Sequence, residues 1–393
     1  MRLAPQQWQW QARLLAVPIA ALAAATAGAA ESPSAAPGGS ISVRGSGCAS
    51  PLHTAEAGPV AFTVTDDTRV FATVYLVDAA DTRVYAEIPW LTPGHTLPLA
   101  TTLAAGRYAV RCVLSDGTIH TTAAFSVTGD TADAVAGYKP LPDLDLTAPV
   151  NAYRAWVEAA LPSLLASVQT LDADVARGDL AAARSDWLPA HLAYERLGAA
   201  YDSFGDFDDQ IDATAAGLPG GTADKDWAGL HAIEYGLWHG ASAPDLHDQT
   251  RALVAAVQGL TADFPSQEID PGDLPLRAHE ILENTLQFQI TGSADAGSGT
   301  SLATAYANAE GTREVLSVLA PLVDARAPGL TARLDTELGA FQADLTATRD
   351  PAGAWTAAAA VTADQRRRLD ADLGGLLEDL ATVPNLLAPR TAA

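Results

Sequence analysis

The hydrophobic pattern of this 393-residue chain changes once, near residue 140, and this change limits the fold more than any other feature of the sequence. Before it, short runs rich in Val, Thr, Tyr and Phe, such as 59–65 and 107–114, are separated by Gly, Pro and Asp turns. Such runs are typical of the strands of a β-sandwich. After the change, apolar residues recur at helical spacing. The sequence therefore predicts an all-β domain, a sandwich or a Greek-key barrel, over residues 41–128, a linker over 129–147 and an all-α domain over 148–390.

The all-α part is divided by breaks rich in Gly, Pro and Asp into segments of helical length, which predicts helical bundles packed together. Pro189 lies inside the second segment and predicts a kink there. The predicted helices span residues 150–177, 180–204, 223–240, 246–263, 273–290, 300–325, 328–347 and 362–382.

The net charge of −24 narrows the classes of partner. Nucleic acid and anionic membrane surfaces are not expected to bind so acidic a chain. A strongly acidic surface suits a cation ligand, or it simply keeps the protein soluble.

Residues 1–30 have the layout of a signal peptide. Arg2 and Arg13 supply its positive region, residues 14–25 form a short apolar region, and Ala27-Gly28-Ala29 fits the rule for cleavage. No segment of the sequence is long and apolar enough to span a membrane. We therefore expect an exported protein, located in the periplasm, on the cell surface or outside the cell.

The chain has two cysteines, Cys48 and Cys112, and both lie in the predicted β domain. In an exported protein an even number of cysteines indicates a disulfide. A bond between them would close a long loop and stabilise the small β domain.

The segment Gly229-Leu230-His231-Ala232-Ile233-Glu234 carries a histidine and a carboxylate three positions apart in an otherwise apolar stretch. On a helix these two side chains share one face, so both can reach one metal ion. The alternative is a structural hydrogen bond, because a buried charge without a partner is costly.

Two further segments place histidine and carboxylates on one helix face. His191 and Glu195 are four positions apart, and Glu280 and Glu283 follow His279. Between the His191/Glu195 pair and the His231/Glu234 pair, residues 202–212 contain five aspartates, of which Asp212 is the last. Oxygen ligands at this density suit Ca²⁺ or iron, although a solvated loop explains most of these aspartates equally well.

Several catalytic signatures are absent from the sequence. The zinc-protease pattern His-Glu-x-x-His fails because Glu283, not a histidine, stands three positions after Glu280. There is no nucleophilic serine motif at a strand–helix turn and no phosphate-binding loop. A blue-copper centre lacks its methionine, since Met1 is the only one in the chain.

The order of these segments resembles the imelysin-like family, and the β domain in front resembles the cupredoxin-like domain of EfeO-type iron-uptake proteins. The resemblance in the β domain lies in Ser46-Gly47-Cys48, residues 57–62, Pro93-Gly94 and the 106–112 strand. In the helical part it lies in Trp187, His191, Tyr194-Glu195, Phe204-Gly205, Asp208, Ile211-Asp212, the 229–238 segment, the 279–283 segment and Tyr306 to Thr312.

The resemblance implies an exported iron binder that captures Fe³⁺ or Fe²⁺, works beside a membrane iron permease and a haem-dependent peroxidase-like protein, and has no turnover of its own. The ligands that it implies are His231, Glu234, Glu195, Asp212 and a carboxylate of the Glu280/Glu283 pair, with His191 as a further candidate from its spacing. In the β domain it implies a copper or iron site near Cys48, Glu87 and Cys112. Gly198 stands where members of the family often have a second glutamate.

Two other functions remain alternatives. The first is a zinc-dependent peptidase, which needs an open metal position and a general base. The second is a binding module for a polysaccharide or a partner protein, independent of metal. Zinc and calcium are the alternative metals.

Overall fold

The structure is a computed structural model that describes residues 36–80 and 82–388. The predicted signal peptide, residues 1–30, lies outside the described residues. Within them, strands occupy residues 36–128 and helices begin at residue 143, which confirms a β domain followed by a helical domain.

The β domain consists of two sheets that enclose one core. One sheet has the order β2-β1-β4-β7, and the other has the order β3-β10-β8-β5-β6, with β9 paired to β8. Buried residues of both sheets, such as Phe62 and Phe125, belong to the same hydrophobic cluster. This is the predicted sandwich, whereas the narrower cupredoxin-like description stays a prediction. The strands are β1 Ala36–Arg44, β2 Gly47–Ala49, β3 Thr54–Glu56, β4 Gly58–Asp66, β5 Ala72–Asp78, β6 Val84–Leu91, β7 Thr96–Leu103, β8 Gly106–Leu114, β9 Ile119–Thr121 and β10 Phe125–Thr128.

A disulfide joins Cys48 in β2 to Cys112 in β8 and thereby links the two sheets. Since a metal ion binds the thiolate form of cysteine, a bonded pair offers it no ligand. Glu87 in β6 accepts a hydrogen bond from the Tyr138 hydroxyl at 2.6 Å. The disulfide therefore removes Cys48 and Cys112 as thiolate ligands of the expected copper or iron site, whereas a metal near Glu87 stays a prediction.

The helical domain is built on long amphipathic helices that pack around one large core. The pairs α1–α6 and α1–α2 make the most extensive helix contacts. The helices are α1 Asp143–Ala176, α2 Leu180–Glu195, α3 Tyr201–Phe204, α4 Asp206–Asp212, α5 Leu230–Trp238, α6 Ala243–Asp263, α7 Asp273–Asn284, α8 Ser301–Arg326, α9 Leu330–Thr346, α10 Ala363–Leu380 and α11 Thr382–Leu387.

Helix boundaries differ from the prediction at two places that matter. Helix α1 begins at Asp143, inside the predicted linker, because its N-cap is Pro142 and Leu146 is buried in the core of the helical domain. The aspartate-rich segment is not a loop: Asp206–Asp212 is helical, and its Ile211 is buried. Two apolar residues among the aspartates, Phe207 and Ile211, give too little periodicity to reveal a helix of two turns.

Helix α7 continues through Thr285–Gln289 as a π-helix. This widening places Gln289 and Phe288 on the walls of cavities near α5. No helix within the described residues combines the length and the apolar character needed to cross a lipid bilayer.

Candidate metal centre

Four side chains from three helices converge in the helical domain. His191 and Glu195 come from α2, Asp212 ends α4, and His231 lies at the start of α5. One ligand atom from each of these residues lies within 4.8 Å of every other. Three of the four residues are buried and Asp212 is nearly so, with 12% of its side chain exposed.

Gly229 allows α4 and α5 to meet at this point. Its φ of +88° lies in the region that favours glycine, and a Cβ there would stand 2.4 Å from the Ile211 carbonyl oxygen and 2.9 Å from the Asp212 nitrogen. Only a residue without a side chain lets the start of α5 pack against the last turn of α4. His231 and Asp212 are therefore neighbours because residue 229 is glycine.

The imidazole of His191 is buried without a good hydrogen bond. Its Nε2 lies 3.0 Å from Glu195 Oε1 and 3.6 Å from Asp212 Oδ1. Neither ring nitrogen has a well-aligned hydrogen-bond partner, although Glu195 Oε1 is within hydrogen-bonding distance of Nε2, and Asp212 Oδ1 has no partner either. Buried polar atoms without partners are rare, and here they face one another across a small space.

Glu195 is held from behind by Asn308 of α8. With the amide oriented to satisfy both its ends, the Asn308 nitrogen donates to Glu195 Oε2 at 2.8 Å and its oxygen accepts from Thr285 Oγ1 at 3.0 Å. This contact leaves Glu195 Oε1 facing His191.

Glu234 holds His231 in a similar way. Its Oε2 lies 3.3 Å from His231 Nδ1, and its Oε1 accepts a hydrogen bond from the Ser298 backbone nitrogen at 2.9 Å. The other ring nitrogen, Nε2, is 3.9 Å from Asp212 Oδ2. A carboxylate that orients one nitrogen of a histidine while the other faces a metal is a common arrangement in metal sites.

The electrostatics of the centre favour the binding of protons or of another cation by His191 and Asp212. Burial raises the pKa of Asp212 well above its usual value, although His191 opposes this effect. Burial lowers the pKa of His191, but the charge of Asp212, together with the hydrogen bond to Glu195 and its charge, outweighs burial, so the net shift is upward. A cation placed among these groups would replace the protons that they hold.

A second layer of buried groups surrounds the ligands. The Tyr194 hydroxyl donates to Asp208 Oδ1, and burial raises the pKa of both groups. For Glu234 burial also acts upward, but the hydrogen bonds from His231 and Ser298 outweigh it, so its pKa is lowered. Glu234 therefore keeps its negative charge beside the cluster.

The structure does not bring every predicted ligand into the centre. Glu280 pairs with Arg277, which also contacts Asp202. Glu283 is half exposed, and its Oε2 is 3.7 Å from His279 Nδ1. Neither belongs to the four-residue cluster, and both side chains remain partly exposed to solvent. Gly198, in a short 3₁₀ turn, lines the neighbouring cavity against Ile281.

Sequence reasoning missed three contributors to the centre. Asn308 and Ser298 act from positions far along the chain, and Gly229 acts through its backbone. Asn308 stood within the segment that resembles the imelysin-like family, but its spacing alone carries no sign of a contact with Glu195. Partners of this kind appear only when the fold is known.

The donor set fits a transition-metal ion. Two imidazoles and two carboxylates combine the ligand types found for iron and zinc. The four side chains are preformed, and among their buried atoms both His191 nitrogens and Asp212 Oδ1 lack a hydrogen-bond partner. In the described residues this is the only cluster of at least three His, Cys, Asp or Glu side chains with such spacing.

Comparison with known proteins places the centre in context. The profile of the Imelysin family (Peptidase_M75) matches residues 149–383, which is more than half of the chain. The chain is 25% identical to the iron uptake system component EfeM of Pseudomonas syringae pv. syringae over 63% of this chain and 87% of that protein. It is 26% identical to the iron uptake system component EfeO of Escherichia coli over 76% of this chain and 78% of that protein. The corresponding EfeO of Yersinia pestis is 27% identical over 76% of this chain and 77% of that protein.

Proposed function

Because this chain belongs to the imelysin family, we propose that it binds an iron ion at His191, Glu195, Asp212 and His231 and passes it to a membrane iron-uptake system. Homology to EfeO and EfeM supports a role in iron uptake. Capture at this centre, delivery to a membrane permease and the lack of turnover are the parts that we add. In this role iron is the cargo of the protein.

The observation that carries the proposal is the unpartnered imidazole of His191. Both of its ring nitrogens are buried without a hydrogen-bond partner, and two carboxylate oxygens lie within 3.6 Å of Nε2. A structural histidine in such a place would be expected to hydrogen-bond. Buried nitrogen and oxygen atoms that crowd together without well-aligned hydrogen bonds are what a cation site requires.

Each residue has a definite part in capture. Nε2 of His191, Oε1 of Glu195, Asp212 and Nε2 of His231 are the proposed donors, while Glu234 orients His231 and Asn308 orients Glu195. Glu234 thus acts as a positioning residue, although the sequence suggested a ligand. Glu280 and Glu283 have no part in this centre as proposed.

The mixture of imidazole and carboxylate donors favours iron over calcium, which prefers oxygen ligands alone. Zinc binds the same types of ligand, so a comparison of iron and zinc affinities is part of the test. Export, with a membrane iron permease and a haem-dependent peroxidase-like protein as partners, completes the proposal; its support is that EfeO and EfeM are named as components of iron uptake systems.

The test is calorimetric titration of the purified protein with Fe²⁺ under anaerobic conditions, and then with Fe³⁺, Zn²⁺, Cu²⁺ and Ca²⁺. We expect one iron per chain, and we expect His191→Ala to reduce its affinity at least 100-fold. The matched control is His247→Ala, because His247 also faces a carboxylate, Asp172 at 3.6 Å, but lies outside the centre. This control should bind iron as the unsubstituted protein does.

Other outcomes of the titration would contradict the proposal. Iron binding that survives His191→Ala would place the site elsewhere. A strong preference for zinc, together with peptide cleavage that is lost in His231→Ala, would favour the peptidase alternative. Absence of metal binding would make the cluster a structural hydrogen-bond network.

A further inference from the structure

A large cavity adjoins the metal centre and has no part in holding a bare ion. Its volume is about 800 Å³, within the range of small-molecule sites in proteins. It lies beside α5, between the chain that follows α4 and the loop that precedes α8. Its walls include Thr214, Trp227, His231, Tyr235, Phe288 and Ala296.

The cavity is in contact with the centre through His231, which forms part of its wall. A second cavity of about 310 Å³, lined by Glu195, Asp212 and His231, shares Thr214 and Phe288 with it. The two spaces therefore adjoin at the proposed metal ligands. A molecule in the large cavity could reach a metal bound at His231.

The walls of the cavity are mostly apolar and aromatic. Trp227 and Tyr235 lie with ring centroids 5.7 Å apart, and Tyr235 stacks on His239 at 4.0 Å. His231, Tyr235 and His239 follow one another at four-residue intervals, so one face of α5 leads from the metal centre along the cavity. Aromatic faces of this kind bind flat, apolar groups.

The one carboxylate on these walls is already engaged. Asp295 Oδ1 accepts hydrogen bonds from the Gly297 nitrogen at 2.8 Å and the Gly299 nitrogen at 3.1 Å. The loop that carries it is fixed to the centre, since Ser298 donates to Glu234. The cavity is thus formed by the same contacts that orient His231.

We propose that iron enters this centre together with a small bidentate chelator whose apolar or aromatic body occupies the 800 Å³ cavity. This inference rests on the proposed function and names its substrate: an iron complex of low net charge. Four monodentate side chains leave coordination positions open on an octahedral metal. The chelator fills these positions with its two oxygen atoms and remains beside Trp227 and Tyr235.

Charge selects among such complexes. Glu195, Asp212, Asp208 and Glu234 surround the adjoining centre, and the whole chain carries −24. A complex with several negative charges is repelled by this field, whereas a neutral or cationic one is not. A hydroxamate that carries one negative charge and an aromatic ring meets both conditions.

The test is equilibrium dialysis of the protein with radiolabelled Fe³⁺ kept in solution by benzohydroxamate, counting iron and chelator bound per chain. We expect both to be retained in a ratio of one to one. Replacing benzohydroxamate with acetohydroxamate, which lacks the ring, should lower the apparent affinity for the complex at least tenfold.

A cavity-filling variant separates this inference from the proposed function. Ala296→Trp fills the cavity without changing a ligand, so it should still bind iron but lose the benzohydroxamate. Ala352→Trp, on an exposed turn, is the matched control and should retain both.

The outcomes distinguish the two proposals. Iron bound without chelator in the unsubstituted protein overturns the inference and leaves the proposed function standing. Benzohydroxamate bound equally well without iron also overturns it, since the cavity would then act independently of the metal. If no iron binds, the proposed function fails as well.

Discussion

At the scale of the residue, Asp212 places folding and metal binding in conflict. Its carboxylate is nearly buried, close to His191, Glu195 and Glu234, and its Oδ1 has no hydrogen-bond partner. Burial and the surrounding negative charges raise its pKa well above the usual value. In the metal-free protein this side chain therefore opposes folding at neutral pH, and a bound cation would remove the penalty.

We expect Asp212→Asn to make the metal-free protein more stable, by about 1 kcal/mol, and to abolish tight iron binding. The asparagine has nearly the same shape but no charge to bury. Chemical denaturation and calorimetric titration of the same samples measure the two effects. A loss of stability in the variant would show that the carboxylate is better satisfied than its geometry indicates.

The pH dependence follows from the same shift. Because the pKa of Asp212 is raised, the folded metal-free protein keeps a proton that the unfolded chain has lost, so its free energy of unfolding falls as pH rises above about 4. The Asp212→Asn variant lacks this contribution. The free energies of unfolding of the two proteins should therefore diverge as pH rises from about 4, the ordinary pKa of Asp, to about 7. A constant difference over this range would contradict the raised pKa of Asp212.

Asn308 gives a prediction for a residue that touches no metal. Asn308→Ala removes the donor that orients Glu195, so iron affinity should fall about tenfold while one ion still binds. Asn385→Ala removes an amide on the exposed face of α11 and should leave the affinity unchanged. Equal affinities of the two variants would show that Glu195 needs no such support.

At the scale of the element, the centre depends on the junction of α4 and α5. These helices carry Asp212 and His231, and Gly229 lets the start of one approach the end of the other. The π-helical segment Thr285–Gln289 contributes from a third direction, since Thr285 contacts Asn308 and Gln289 lines the cavity. Each short element is held in place by its longer neighbours.

We expect Gly229→Ala to cost about 3 kcal/mol of stability and to weaken iron binding strongly, because its Cβ would collide with the backbone of Ile211. Gly240→Ala is the matched control: Gly240 also has a positive φ, of +82°, but nothing lies within 4 Å of the added Cβ. That variant should lose about 1 kcal/mol and keep its iron affinity. Thermal unfolding and titration of both variants test the junction.

At the scale of the whole molecule, the two domains have separate means of stabilisation. The helical domain has the larger core and holds the metal centre. The β domain has a smaller core and a disulfide between its sheets, closing a sequence separation of 64 residues. In the chain-entropy description, such a bond contributes about 4 kcal/mol.

The double variant Cys48→Ala/Cys112→Ala should therefore lower the stability of the β domain by about 4 kcal/mol and leave iron binding intact. Scanning calorimetry should show a shift in the unfolding transition of the β domain alone, while titration gives an unchanged stoichiometry and affinity. Loss of iron binding in this variant would mean that the β domain supports the centre directly, contrary to the separation of the two sites.

Much of this organisation is local in origin and could therefore be predicted. The change of hydrophobic period places the β domain before the helical one because side-chain alternation depends only on neighbouring residues. The disulfide is not local, since its cysteines are 64 residues apart, and it was predicted from the even number of cysteines in a chain expected to be exported. The spacings of His191 with Glu195 and of His231 with Glu234 also placed each pair on one helix face.

The sequence by itself thus determined the order of the domains, most long helices, the disulfide and the two histidine–carboxylate pairs. Only the tertiary structure decided that Asp212 joins those pairs while Glu280 and Glu283 do not, and that Asn308 and Ser298 support the centre. The reason is physical. Periodicity fixes the face on which a side chain lies, whereas the distance between faces depends on how helices pack, and here a glycine at residue 229 sets that distance.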